Sequence, residues 1–112
     1  MNKEDIFAIV DVVIRPVEVK EWNKTVYVKS MNGTDRAKFC FINAGLQKAD
    51  KGIESDTWLV LFGMCDMAGN RVFADSDFDR LNNMNASVIS KIAREALIVN
   101  GLLNEQVEEA KN

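Results

Sequence analysis

The chain has 112 residues, 47% of them hydrophobic, with 17 acidic and 14 basic residues, no histidine and a net charge of −3. That is about one domain, large enough to bury roughly two-thirds of its unfolded surface without a disulfide or a metal. The acid excess argues against broad binding to a nucleic-acid backbone, which needs clustered Lys and Arg, and the lack of histidine removes the usual general base and the commonest metal ligand.

Residues Ile6 to Ile14 are apolar apart from Asp11. Ile6, Ile9, Val10 and Val13 fit helical spacing, whereas Val12 and Ile14 suit the start of a strand. Pro16 disfavours helix at Arg15. The expectation is a short N-terminal helix or arm over residues 1–14, then a hairpin within 15–31. Val17 to Glu21 and Thr25 to Ser30 alternate as strands joined by a short polar turn. A lone hairpin is marginal in water, so this one must pack on helices or on another copy. Lys3-Glu4-Asp5 is acidic where a signal peptide needs positive charge.

Asn32-Gly33-Thr34 is turn chemistry, with Thr34 the expected N-cap and Asp35 in the first turn where the helix dipole favours an acid. Phe39, Ile42 and Leu46 then recur at helical spacing to about Lys51, and Gly52 suits the end. Ser55 or Asp56 can cap Thr57 to Asp66, which is apolar nearly all round and so central. Helix is the preferred reading there, and a buried strand fits the same run.

Asp66 to Arg71 reads as a loop. Asp75 or Ser76 is expected to cap a short helix burying Phe78 and Leu81. Asn85 caps the last strong helix, Ala86 to Asn100, whose inner face carries Ile89, Ile92, Ala93 and Ala96, and Gly101 follows as its C′ glycine. The helical core thus covers 34–101, and 102–112 is an acidic tail. The expected fold is α+β: a mostly helical single domain with an N-terminal β-hairpin packed on a helical core.

Reactive constellations are scarce. Cys40 and Cys65 belong to no CxxC pair and sit in apolar runs, so both are expected as reduced core thiols of a cytoplasmic protein. Asp75, Asp77 and Asp79 alternate as in a calcium loop, but the sixth residue is Arg80 rather than Gly and the twelfth is Ser87 rather than Glu. Gly63 and Gly69 precede no Gly-Lys-Ser/Thr and form no phosphate loop. No cofactor, metal or catalytic residue is expected. The longest apolar run, Trp58 to Cys65, is too short to span a bilayer. Function must therefore lie in surfaces.

Phe39, Phe41, Trp58 and Phe62 are expected in the core. Trp22 stands near the hairpin turn, where it is either an exposed interface anchor or packed on the domain's own helix. The first ten residues, with Ile6, Phe7, Ile9 and Val10, form an apolar segment suited to docking on a neighbouring copy. Phe7, Ile9 and Trp22 are the candidate self-association residues.

The ordered set EVKEW-NKTVYVKSM, NGTDRAKF, TWLVLFGMCDMAGNRVFADSDFDRL and IVNGLLNEQVEEAKN resembles the tail assembly chaperones of long-tailed phages and prophages. Asn23-Lys24 stands where many of that family have glycines, and Gly63 interrupts the buried run. The resemblance implies a non-enzymatic role in the bacterial host cytoplasm. The chaperone would keep the hydrophobic, helical tape measure protein soluble during tail assembly, self-associate as a ring or spiral, and be absent from the virion. It further implies a longer form made by frameshifting near Glu108 to Asn112, whose added domain recruits the tail tube protein. The alternative is another small tail structural protein, a completion or connector protein retained in the particle.

Overall fold

The computed structural model describes residues 1–103. Most of the expected acidic tail, and the frameshift position near Glu108 to Asn112, lie outside the described residues. The first element is α1, Lys3–Phe7, held by a reciprocal cap. Asn2 Oδ1 accepts the Asp5 N–H at 2.9 Å and Asp5 Oδ2 accepts the Asn2 N–H at 3.2 Å. This satisfies two otherwise orphaned donors, yet α1 buries no residue. The chain then runs without regular structure to β1, Ile14–Val19, which pairs antiparallel with β2, Lys24–Lys29.

The strand starts earlier than Val17 and takes in Pro16. The Ser30 N–H donates to the Val13 carbonyl at 2.9 Å, which fixes the phase of the ladder. Alternation makes Arg15/Val28, Val17/Val26 and Val19/Lys24 the hydrogen-bonded pairs. Pro16 therefore turns its missing donor toward the open edge of the sheet, where the ladder loses nothing. A turn of 3₁₀ helix, Lys20–Trp22, and Asn23 at φ 53° join the strands. Asparagine tolerates this left-handed conformation, so the position does not demand glycine.

Helix α2, Gly33–Lys48, is capped by Asn32, whose side chain accepts the Asp35 N–H at 2.8 Å; Thr34 lies inside the helix. Its far end is also earlier than expected. The Asp50 N–H reaches the Gln47 carbonyl and the Lys51 N–H reaches that of Leu46, a Schellman closure with Asp50 at φ 59° in the position glycine usually holds. Gly52 instead opens a 3₁₀ turn, Gly52–Glu54, that runs straight into α3, Ser55–Gly63, so no Ser or Asp side chain caps that helix.

The ambiguous apolar run resolves into both alternatives. Helix α3 stops at Gly63, and Met64–Cys65 form β3, antiparallel to β2 with Val28 opposite Met64 and Tyr27 opposite Cys65. The hairpin is thus two strands of a three-stranded sheet, ordered β1-β2-β3. At Gly63 a Cβ would lie 3.4 Å from the Ala96 Cβ, so the glycine lets α3 approach the last helix closely.

A loop and a 3₁₀ turn, Asp75–Asp77, lead to α4, Phe78–Asn82. Neither Asp75 nor Ser76 caps it; Asp77 reaches back to the Ala74 N–H at 2.9 Å. Helix α5, Ala86–Val99, has Asn85 as its cap, accepting from Ser87 and Val88, and closes through Gly101 at φ 71°.

The core is built around α3. Val60, Leu61 and Phe62 are buried against Ile92, Ala93 and Ala96 of α5, with Val17, Val19 and Val28 from the sheet in the same cluster. Trp58 stacks on Phe78 with ring centroids 4.4 Å apart. Two expectations fail here. Cys65 is buried but Cys40 is exposed, and Phe41 is 83% exposed rather than core. On α2 the buried side is the Phe39 row, and Cys40 and Phe41 point away from it.

The hairpin is clamped to α5 by polar contacts. Arg15 Nε donates to Glu95 Oε2 at 2.6 Å, and Lys91 Nζ stands 3.7 Å from Glu21 Oε1. Asn100 Oδ1 accepts the Met31 N–H at 2.7 Å while its Nδ2 donates to the Ala96 carbonyl. The Asn-Gly pair after α5 thus serves the fold twice, since it ends the helix and holds the strand exit.

Candidate interaction surfaces

The residues with the most chemical potential are occupied by the fold. Asp66 accepts the Ala68 and Asn70 N–H groups, each at 2.9 Å, and the Asn70 side chain at 3.2 Å. These bonds, the Asn70 backbone first, hold its carboxyl below the ordinary aspartate value. Gly69 supplies the positive φ, 88°, that closes the loop. Burial pushes the Cys65 thiol up, opposed by the charge of Lys29, which leaves it a neutral, poor nucleophile. Asp75 pairs with Arg71 at 2.9 Å and Asp77 serves a backbone amide. Among the described residues no three His, Cys, Asp or Glu side chains gather as a metal site. No described helix is long and apolar enough to cross a membrane.

The fold also leaves large apolar side chains uncovered. The arm before β1 exposes Ile6, Phe7, Ile9, Val10, Val12 and Val13, with Phe7 79% and Val10 88% exposed. Its root is fixed: the Val13 N–H donates to Ser30 Oγ and the Val13 carbonyl accepts from Ser30, both at 2.9 Å. Single exposed apolar residues are ordinary, whereas a run of this density makes the arm a candidate interaction segment.

A second such surface lies on α2. Ala37, Cys40, Phe41, Ala44, Gly45 and Lys48 are all exposed and, at 100° per residue, occupy the side opposite Phe39, Ile42 and Leu46. A shallow depression of about 660 Å³ runs beside Phe41, lined by Ala44, Gly45, Gln47 and Lys48. A Cβ on Gly45 would meet nothing within 4 Å. A glycine inside a helix costs about 1 kcal/mol relative to alanine, and no packing contact among the described residues offsets that here.

The three candidate residues named from the sequence do not form one patch. Phe7 and Ile9 lie on the arm, exposed. Trp22 is half-buried and packs against the core cluster, at the turn end of the hairpin. The arm enters at the other end of six-residue β1, a strand's length of about 20 Å away. Sequence reasoning missed Phe41 as a surface residue. The signal was present: with Phe39, Ile42 and Leu46 facing the core, a residue two positions after Phe39 must face outward.

No protein-family model matches the chain, and no curated protein matches it. Among solved structures, the tail assembly chaperone of bacteriophage HK97 superposes with a TM-score of 0.66, covering 87% of this chain and 96% of that one at 18% sequence identity. The chain has the fold of a phage tail assembly chaperone. At that identity the likeness is one of fold, and it bears out at that level the resemblance read from the hairpin, the buried run and the Asn-Gly end. The Asp-x-x-Gly loop and the Asn-Gly end that carry the resemblance hold a loop and close a helix here, so the resemblance rests on architecture and not on a reactive site.

Proposed function

We propose that this protein is a non-enzymatic tail assembly chaperone that coats the tape measure protein during phage tail morphogenesis, acting as a multi-copy ring or spiral in the host cytoplasm. The observation that carries the reading is the fold shared over 96% of the HK97 chaperone. The exposed apolar arm supports it, since a protein that shields another's hydrophobic surface must keep apolar surface of its own available. Repetition supplies the strength: each copy contributes a weak patch, and linked copies raise the effective concentration at the next site. Phe7 and Ile9 serve self-association; Trp22, half-buried against the core, offers a partner only the part of its surface that remains exposed. A longer, frameshifted form would bring in the tail tube protein.

Co-expression with the tape measure gene of the same phage or prophage tests this. Soluble tape measure protein in its presence, and aggregated protein in its absence, is the expected result; no rescue defeats the chaperone role. Mass spectrometry of purified virions then separates it from a completion or connector protein, which stays in the particle.

A further inference from the structure

The elements that bear the two uncovered apolar surfaces carry net charges of opposite sign. The arm has Glu4, Asp5 and Asp11 against Lys3, whereas α2 and its closing turn have Arg36, Lys38, Lys48 and Lys51 against Asp35 and Asp50. We propose that the arm of one copy docks on the outer face of α2 in the next copy, with Phe7 and its apolar neighbours seated beside Phe41 over Ala44 and Gly45. This rests on the self-association reading and names its two surfaces.

Three observations converge on that pairing. Gly45 weakens α2 with no contact among the described residues to explain it, and a bare helix surface beside an 83% exposed Phe41 gives an incoming segment a floor and a wall. The other route to self-association, strand addition at the open β1 edge, is blunted because Pro16 removes an outward donor there. The arm is anchored at Val13, and with α1 kept as a helix the twelve residues before it span at most about 30 Å, enough to reach an adjoining subunit. Arm and acceptor are different surfaces, so the contact is head-to-tail and propagates into a ring or a helix rather than closing as a pair.

Cys40 borders the acceptor face and is exposed, whereas Cys65 is buried, which makes a cross-link the direct test. One chain carries Val10→Cys and Cys40→Ser; the second is the natural chain. After mixing and mild oxidation, the expected product is the mixed 10–40 disulfide between chains, at least tenfold over either homodimer. Dominant arm–arm or Cys40–Cys40 dimers, or no dimer, overturn the proposal. So does an intrachain disulfide in a chain bearing Val10→Cys together with Cys40, since the arm would then cover its own helix. By sedimentation velocity, Phe7→Glu and Phe41→Glu are each expected to raise the self-dissociation constant at least tenfold with unchanged circular dichroism. Should Phe41→Glu leave self-association intact and abolish capture of a tape measure helix, the face belongs to that partner and the proposal falls. Association that persists without the cross-link removes this docking mode and leaves the assembly reading standing; a cross-link without tape measure rescue does the reverse.

Discussion

Helices α2 and α5 are close in length, 16 and 14 residues, and opposite in what they do with apolar surface. Helix α5 buries Val88, Ile89, Ile92, Ala93 and Ala96, while α2 buries Phe39 alone and turns Phe41 and Cys40 outward. Burial and exposure of apolar side chains are thus divided between two helices. Helix α5, with α3 beneath it, holds the fold together. Helix α2 is anchored by one row and leaves Phe41 and its neighbours exposed, as the arm residues are.

The largest effect should come from breaking the α5 side. Ile92 is fully buried at the α3 crossing, so Ile92→Ala is expected to cost about 2–5 kcal/mol, through lost burial plus the cavity left behind. Urea unfolding monitored by circular dichroism reads this directly. An effect under about 1 kcal/mol would mean that α5 is not the structural helix.

Next comes the junction between α5 and the sheet. Asn100→Ala removes the acceptor of the Met31 N–H, bonded at 2.7 Å in a half-buried position. Stranding that donor is expected to cost about 1–3 kcal/mol. Hydrogen exchange at the Met31 amide should quicken more than at Val28, which sits within the ladder.

On the α2 side the expected sign reverses. With no neighbour among the described residues within 4 Å of the new methyl group, Gly45→Ala should stabilise the isolated monomer by about 1 kcal/mol. Phe41→Ser should leave monomer stability within about 0.5 kcal/mol, as exposed positions do. Thermal unfolding at low concentration checks both. If Phe41→Ser destabilised the monomer as Ile92→Ala does, the contrast between the helices would collapse.

The sequence carried more of α5 than of α2. The periodic set in α5 and its Asn85 and Gly101 boundaries could be read directly, because cap, period and C′ glycine agree. The alternation of Val17, Val19 and Val28 likewise placed the hairpin. Three features were hidden for distinct reasons. Strand β3 is two residues long and continues the apolar run of α3, so no change of period marks the end of the helix at Gly63. Asn32 displaced Thr34 as cap because either side chain can accept an amide two or three residues ahead, and only geometry chooses where the helix begins. Asp50 closed α2 where Gly52 offered the easier left-handed residue. Of the candidate surface residues, Phe7 and Ile9 follow from an apolar segment lacking any partner element, whereas the half-burial of Trp22 depends on which way the turn folds over the core.

The smallest effect belongs to the boundary between the two regimes. The Asp66 loop follows β3, and its Ala68 and Gly69 line an open groove of about 480 Å³ with Asp11 and Val12 at the root of the arm. The Asp66 carboxyl lies below its ordinary value because Asn70 and Ala68 donate to it in the folded state. A depressed folded value means that the bonds contribute fully above the unfolded aspartate pKa of about 4 and are lost as the pH falls through the lower, folded one. Since Asp66 is exposed to solvent, the effect on global stability should be slight and the effect on the loop visible. Amide exchange at Ala68 and Asn70 should accelerate on acidification relative to the α5 amides, after correction for the intrinsic rate. Asp66→Asn should abolish that dependence, because its amide oxygen can still accept the two backbone bonds without titrating, although the bond from the Asn70 side chain is lost. If exchange in the loop instead tracked that of α5 at every pH, the loop would open only with the core, and the arm root would have to be counted with the rigid half of the molecule.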